Sequence, residues 1–176
     1  MTDSELARLI REHALLEGDF VLRSGRRSSY YLDKYRFETR PDLLHELGQR
    51  VARLVAENAP GAVRLAGPEL GAVALAASAS LASGLSFLIV RKAAKEYGTE
   101  RLLEGVYEEG EEVCLVEDVV TTGGAAVAAV KALRAAKLEC RSAVCVVDRE
   151  EGGDDALARE AVRLYPLFRV KEIIAA

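Results

Sequence analysis

Residues Val113 to Gly124 read VCLVEDVVTTGG. Two carboxylates, Glu117 and Asp118, are followed by Val119 and Val120, then by the hydroxyls of Thr121 and Thr122, then by Gly123 and Gly124. Carboxylates are acceptors that can grip a vicinal diol. Hydroxyl donors and free backbone N–H groups at a glycine-led helix start hold a phosphate monoester instead. The two together suit a sugar phosphate, and ribose 5-phosphate has both parts. A strand end followed by a plain helix start, its acids facing solvent, uses the same residue types. The joint occurrence of acids, hydroxyls and glycines in one strand-to-helix turn favours the anion site. The Gly-Lys-Ser/Thr of a nucleotide P-loop and the G-x-G-x-x-G of dinucleotide sites are both absent.

Such a turn works only if a strand delivers the acids and a helix follows. Short apolar runs at Val63–Ala66, Ser86–Val90, Glu112–Val116 and Ser142–Val147 alternate with small-residue helical stretches at about 71–83 and 124–137. That is the pattern of βαβ units in a parallel sheet buried on both faces. Ligands of such sheets bind beyond the carboxyl ends of the strands, where Glu117 and Asp118 are expected. Ahead of this core, Leu6, Leu9, Ile10, His13 and Leu16 share a helical face behind a Thr2/Glu5 capping box, which predicts a helix at about 3–17. Residues 19–35 read as a hairpin, or a loop with short strands, around a basic Ser-Gly turn. Thr39, Pro41 and Asp42 open a second helix with Leu43, Leu47, Val51, Leu54 and Val55 on one face, and Asn58 to Gly61 end it. The expectation is one α/β domain over 1–176, with hood elements at about 1–40 and a core at about 41–176, and no internal repeat or linker.

Composition agrees with a single globular domain. Of the 176 residues, 50% are apolar and 30% charged, with four prolines, which disfavours disorder. The formal charge of -4 argues against a general nucleic-acid binder while leaving room for a local basic pocket. No apolar stretch reaches about 18 residues, and Met1 leads into an amphipathic segment, so a soluble cytoplasmic protein without a membrane partner is expected. Cys114, Cys140 and Cys145 show no C-x-x-C spacing and read as reduced thiols. His13 and His45 form no ligand pattern.

Val113 to Ala125 resembles the phosphoribosyl-pyrophosphate motif of the type I phosphoribosyltransferases: apolar residues, two acids, two apolar residues, Thr-Thr-Gly-Gly. That family has a parallel-sheet core with a small hood, binds phosphoribosyl pyrophosphate with Mg²⁺, and displaces pyrophosphate with a nitrogen nucleophile. Three further stretches resemble its orotate phosphoribosyltransferase branch. VRKAAKEYGT, Val90 to Thr99, is similar to the basic lid, through Arg91, Lys92, Lys95, Tyr97 and Gly98. FVLRSGRRSSYYLD, Phe20 to Asp33, is similar to the segment bordering the orotate site, through Arg23, Ser24, Gly25, Tyr30 and Tyr31. VVDREEGG, Val146 to Gly153, is similar to a strand end that sets an arginine, here Arg149, on the orotate ring.

The resemblance implies Lys95, Asp118 and Glu117 as catalytic. It implies a phosphoribosyl-pyrophosphate site of Arg91, Lys92, Lys95, Tyr97, Glu117, Asp118, Val119, Val120, Thr121, Thr122, Gly123, Gly124 and Ala125. In AGPELGA, Ala66 to Ala72, the amides of Glu69, Leu70 and Gly71 take the pyrophosphate-loop position, although the stretch has no lysine. Arg23, Tyr31, Thr121 and Arg149 are expected at orotate, whose carboxylate suits arginine. Mg²⁺ is expected to be held mainly through substrate oxygens and water, without a direct protein ligand. A homodimer is implied, with the lid lysine reaching across the interface. The chemistry is consistent, because departing pyrophosphate builds negative charge that Arg91, Lys92 and Lys95 can meet while a closing lid excludes water.

Three positions depart from the family pattern. Glu117 replaces an aspartate and keeps its charge. Tyr97 stands where histidine is common; with a pKa of about 10 it is a contact rather than an acid catalyst. Ala125 stands where serine or threonine is frequent, so one phosphate donor is lost. The expected reaction is transfer of the phosphoribosyl group to orotate, in pyrimidine biosynthesis. Transfer to another base, such as a purine or uracil, and a non-catalytic regulator sensing phosphoribosyl pyrophosphate stay open as alternatives.

Overall fold

A computed structural model describes residues 1–21, 25, 27–92 and 102–176. Helix α1 (Asp3–Ala14) opens with the expected capping box: Thr2 Oγ1 accepts the Glu5 N–H, and the Glu5 carboxylate accepts the Thr2 N–H at 2.7 Å. Leu6, Ala7, Ile10 and Ala14 form its buried face. The helix stops before the expected position near 17, because Leu15 is already extended and pairs with Leu32 across a hairpin. Strands β1 (Leu15–Val21) and β2 (Arg27–Leu32) are antiparallel, so the 19–35 segment is a hairpin whose first strand begins at Leu15.

A single helical turn, α2 (Tyr35–Glu38), follows and was not expected from the sequence. Phe37 is fully buried and anchors it, and Thr39 Oγ1 closes it by donating to the Tyr35 carbonyl at 2.6 Å. Thr39 is thereby committed to α2. The next helix, α3 (Pro41–Asn58), starts from Arg40 rather than from Thr39, with proline in its first turn, where a missing N–H costs nothing.

The core follows the expected alternation: β3 (Arg64–Pro68), α4 (Gly71–Ser83), β4 (Ser86–Val90), β5 (Leu103–Glu104), β6 (Glu112–Val120), α5 (Gly124–Ala135), β7 (Glu139–Asp148), α6 (Gly153–Arg159), β8 (Arg163–Arg169) and α7 (Val170–Ala175). The six-stranded sheet has the order β5-β4-β3-β6-β7-β8 and is parallel except at the β4–β5 edge. Along β6, Cys114 and Val116 join the apolar cluster under α1, α3 and α4, while Val113 and Leu115 join the one under α5 and α6. Two-fold alternation in a strand covered on both faces therefore reads as one continuous apolar run. Cys114, Cys140 and Cys145 are free and buried. Among the described residues, no helix is long and apolar enough to cross a membrane.

Candidate active site

From β3 the chain moves outward to β4, and from β6 it moves the other way to β7 and β8. The carboxyl ends of β3 and β6 therefore flank a topological switch point, the crevice where open α/β sheets bind ligands. Glu69 to Gly71 leave β3 at this crevice, and Glu117 to Thr122 leave β6 there. The acids lie within β6 rather than beyond it, since Glu117 is in register with Cys145 and the strand continues to Val120. Both are buried, Asp118 at 1% and Glu117 at 7% exposure. Glu117 Oε1 has no hydrogen-bond partner among the described residues, and Asp118 Oδ1 accepts the Val119 N–H at 2.5 Å.

Past Val120, half-buried Thr121 and exposed Thr122 lead to Gly123, which caps α5 in the left-handed region at φ 81°. A side chain there would press on the Gly153 backbone, at 3.0 Å from its Cα. Gly123 is thus required twice, by conformation and by the approach of α6. Gly124 and Ala125 start α5 and are exposed, leaving the helix N-terminus open to an anion.

Two residues that the sequence reading missed complete the acid cluster. Lys34 and Glu38 flank the turn of α2, where the Glu38 N–H donates to the Lys34 carbonyl at 3.0 Å, and four-residue spacing puts their side chains on one face. Lys34 Nζ lies 2.5 Å from Asp118 Oδ2. Burial opposes its charge, but the Asp118 carboxylate outweighs burial and raises its pKa. Glu38 is buried against Asp118, and burial first, then the Asp118 charge, pushes its pKa up to about 9. Burial and the same neighbour push Glu117 up to about 8. The only local signal for Lys34 and Glu38 was an i,i+4 Lys/Glu pair, which on most helices is solvated surface.

Arg149 follows β7 on the other side of the acids. Its N–H donates to the Val120 carbonyl at 2.9 Å, its guanidinium meets Glu151 at 3.0 Å, and it stacks 5.1 Å from the centre of the Tyr30 ring. Its Nε is buried with no hydrogen-bond partner among the described residues. Tyr31 is on the opposite face of β2 beside Phe20 and is 43% exposed, so the structure brings Tyr30, not Tyr31, to Arg149. On the β3 side, the Glu69 N–H donates to the Val90 carbonyl, and Glu69 Oε1 accepts the Lys92 N–H at 2.6 Å, stitching this loop to the end of β4. The Glu69–Leu70 peptide is cis, and the Leu70 side chain is exposed. Arg91 reaches Glu104 at 3.4 Å. Arg23, Lys95 and Tyr97 lie outside the described residues. A separate cleft of about 710 Å³ between the C-terminal ends of α3 and α4 holds no carboxylate and lies toward the amino ends of the strands.

The arrangement can hold a phosphate at α5, a diol on the acids, and a planar anion against Arg149. No family model matches the chain. It is 48% identical over 173 residues to an orotate phosphoribosyltransferase of Methanocella arvoryzae, covering 98% of this chain and 97% of that one. Its structure is similar to that of orotate phosphoribosyltransferase from Aeropyrum pernix, with TM-score 0.87, 32% identity, and coverage of 97% of this chain and 96% of the other. It is also similar to the Mycobacterium tuberculosis H37Rv orotate phosphoribosyltransferase in complex with 5-phospho-α-D-ribosyl 1-diphosphate, with TM-score 0.81, 29% identity, and coverage of 97% and 98%. With near-complete coverage in both directions and the switch-point crevice at the motif, the chain belongs to the orotate phosphoribosyltransferases.

Proposed function

We propose that this site transfers the 5-phosphoribosyl group from phosphoribosyl pyrophosphate to orotate, releasing orotidine 5'-phosphate and pyrophosphate, a step of pyrimidine biosynthesis. The observation that carries the reading is the buried Glu117/Asp118 pair at the switch point, running directly into the Thr121–Gly124 turn at the start of α5. The 5'-phosphate sits on the α5 N-terminus and the threonine hydroxyls. Ribose hydroxyls donate to Glu117, whose buried Oε1 has no donor among the described residues, and to Asp118. Pyrophosphate lies along Glu69 to Gly71, between Asp118 and the basic residues Arg91 and Lys92. Orotate lies beside Arg149, which Tyr30 backs, and the buried, unpaired Nε is a donor for its carboxylate or carbonyl.

The sugar's anomeric carbon loses its bond to the pyrophosphate oxygen and gains one to the orotate ring nitrogen, whose proton leaves with the pyrophosphate. Among the described residues, no three His, Cys, Asp or Glu side chains are grouped to hold a metal ion. The hard oxygens of Glu117 and Asp118 fit a hydrated Mg²⁺, which they would hold together with the oxygens of the substrate. When bound, Mg²⁺ neutralises the leaving group's oxygens. The chain acts as one domain and as a homodimer whose Lys95 serves the partner's site. Pyrophosphate release, measured with each free base, phosphoribosyl pyrophosphate and Mg²⁺, tests the reading. Turnover is expected with orotate. Turnover with a purine or uracil alone, or binding of phosphoribosyl pyrophosphate without turnover of any base, overturns it.

A further inference from the structure

Pyrophosphate is densely anionic, yet the loop assigned to it, Ala66 to Ala72, carries Glu69 and no lysine or arginine. Backbone amides and the N-terminal end of α4 supply partial charges there, but no full positive charge. The structure places one beside it from another element. Lys34 comes from the hood, at the start of α2, and its ammonium meets Asp118 Oδ2 at 2.5 Å. A Cβ on Gly71 would overlap both the Asp118 carboxylate and the Lys34 ammonium, so the ion pair lies directly on the backbone of the first residue of α4. Two-thirds of the Lys34 side chain is covered and 34% is exposed.

We propose that Lys34 is a pyrophosphate-site cation, supplied in space where the loop between β3 and α4 has none in sequence. The inference rests on the reading of the site as one for phosphoribosyl pyrophosphate. A ligand spanning the diol acids and the loop amides passes over the Asp118–Gly71 junction, and Lys34 is the ammonium at that junction. Before binding, Lys34 neutralises Asp118. When ribose hydroxyls take Asp118, the same ammonium is shared with the α- and β-phosphate oxygens of the leaving group, with a short rotation of a flexible side chain. Gly71 is part of the device, because any side chain there would separate the cation from the carboxylate.

Two ligands separate this role from one confined to orienting Asp118. Inorganic pyrophosphate with Mg²⁺ fills the leaving-group site and lacks a diol. Orotidine 5'-phosphate fills the diol and phosphate sites and lacks pyrophosphate. Calorimetric titration of Lys34→Met is expected to show affinity for Mg²⁺-pyrophosphate falling about 10-fold or more, affinity for orotidine 5'-phosphate within about threefold of wild type, and recovery of most pyrophosphate affinity in Lys34→Arg. The double variant Lys34→Met/Glu38→Gln replaces the buried Glu38 carboxyl by an amide that cannot ionise beside an unpaired Asp118, and serves if the single variant does not fold. Unchanged pyrophosphate affinity overturns the proposal. So does a larger loss for orotidine 5'-phosphate, which would make Lys34 a positioning residue for Asp118. If the wild-type protein binds neither ligand, the reading of the site itself fails, and the proposal falls with it.

Discussion

The Arg149 guanidinium is held by Glu151 and by the Tyr30 ring, and its backbone N–H by the Val120 carbonyl, so the side chain is positioned before any ligand arrives. A preorganised charged donor to a buried anion is worth about 2–3 kcal/mol. Arg149→Ala should therefore raise KM for orotate by about 30- to 150-fold while changing KM for phosphoribosyl pyrophosphate far less, as steady-state kinetics would show. Equal changes in both would put Arg149 outside the base site. Glu38 makes a different prediction, about pH. Its folded pKa is raised from 4.5 to about 9 by burial and by Asp118. Below pH 4.5 the carboxyl is protonated in both folded and unfolded chains. As pH rises through the window from 4.5 to about 9, the unfolded chain releases that proton and the folded one keeps it, so stability is lost. Glu38→Gln keeps the shape and removes the titration. Its melting temperature should gain on wild type between pH 5 and pH 8, by about 3 °C or more. A gap that does not change with pH would mean that Glu38 ionises normally.

At the scale of elements, the turn from β6 into α5 depends on two adjacent glycines with opposite demands. Gly123→Ala forces a left-handed conformation on alanine and drives its Cβ against Gly153 and Ala156. A loss of about 1–3 kcal/mol in denaturant unfolding is expected, with weaker phosphate binding. Gly124→Ala meets open space and should alter stability by no more than about 0.5 kcal/mol. The strand-to-helix alternation was legible because small-residue helices and apolar runs state their periods locally. Strand β8 and helices α6 and α7 were not read. Pro166 interrupts the β8 run, and an edge strand tolerates that proline because one side of its backbone needs no partner. The end of α1 was read too late because Leu15 and Leu16 continue its apolar face. Their pairing with Leu32 and Tyr31 turns them into a strand, and that partner lies outside any local window.

For the whole molecule, the decisive question is whether Lys95 serves its own site or the partner's. Lys95→Ala and Asp118→Asn should each be nearly inactive, the first slowed about 10²–10³-fold in the chemical step. If the lid crosses the interface, mixing the two gives hybrids with one doubly defective site and one intact site. Activity should then return to at most about half the wild-type equivalent. No recovery, with subunit exchange shown by mass-tagged chains, would assign Lys95 to its own subunit. What the sequence by itself determined is what contiguous residues encode. The buried strand, the acid pair, the hydroxyl and glycine turn and the alternating helices all express themselves through backbone periods of two and 3.6 residues. Only the tertiary structure decided that Lys34 and Glu38 converge on Asp118, that Tyr30 rather than Tyr31 backs Arg149, and that burial beside Asp118 raises the pKa of Glu38 and Glu117. Pairing and ionisation depend on distance and on exclusion of water, and both are set when the hood closes over the sheet, not by the order of residues along the chain.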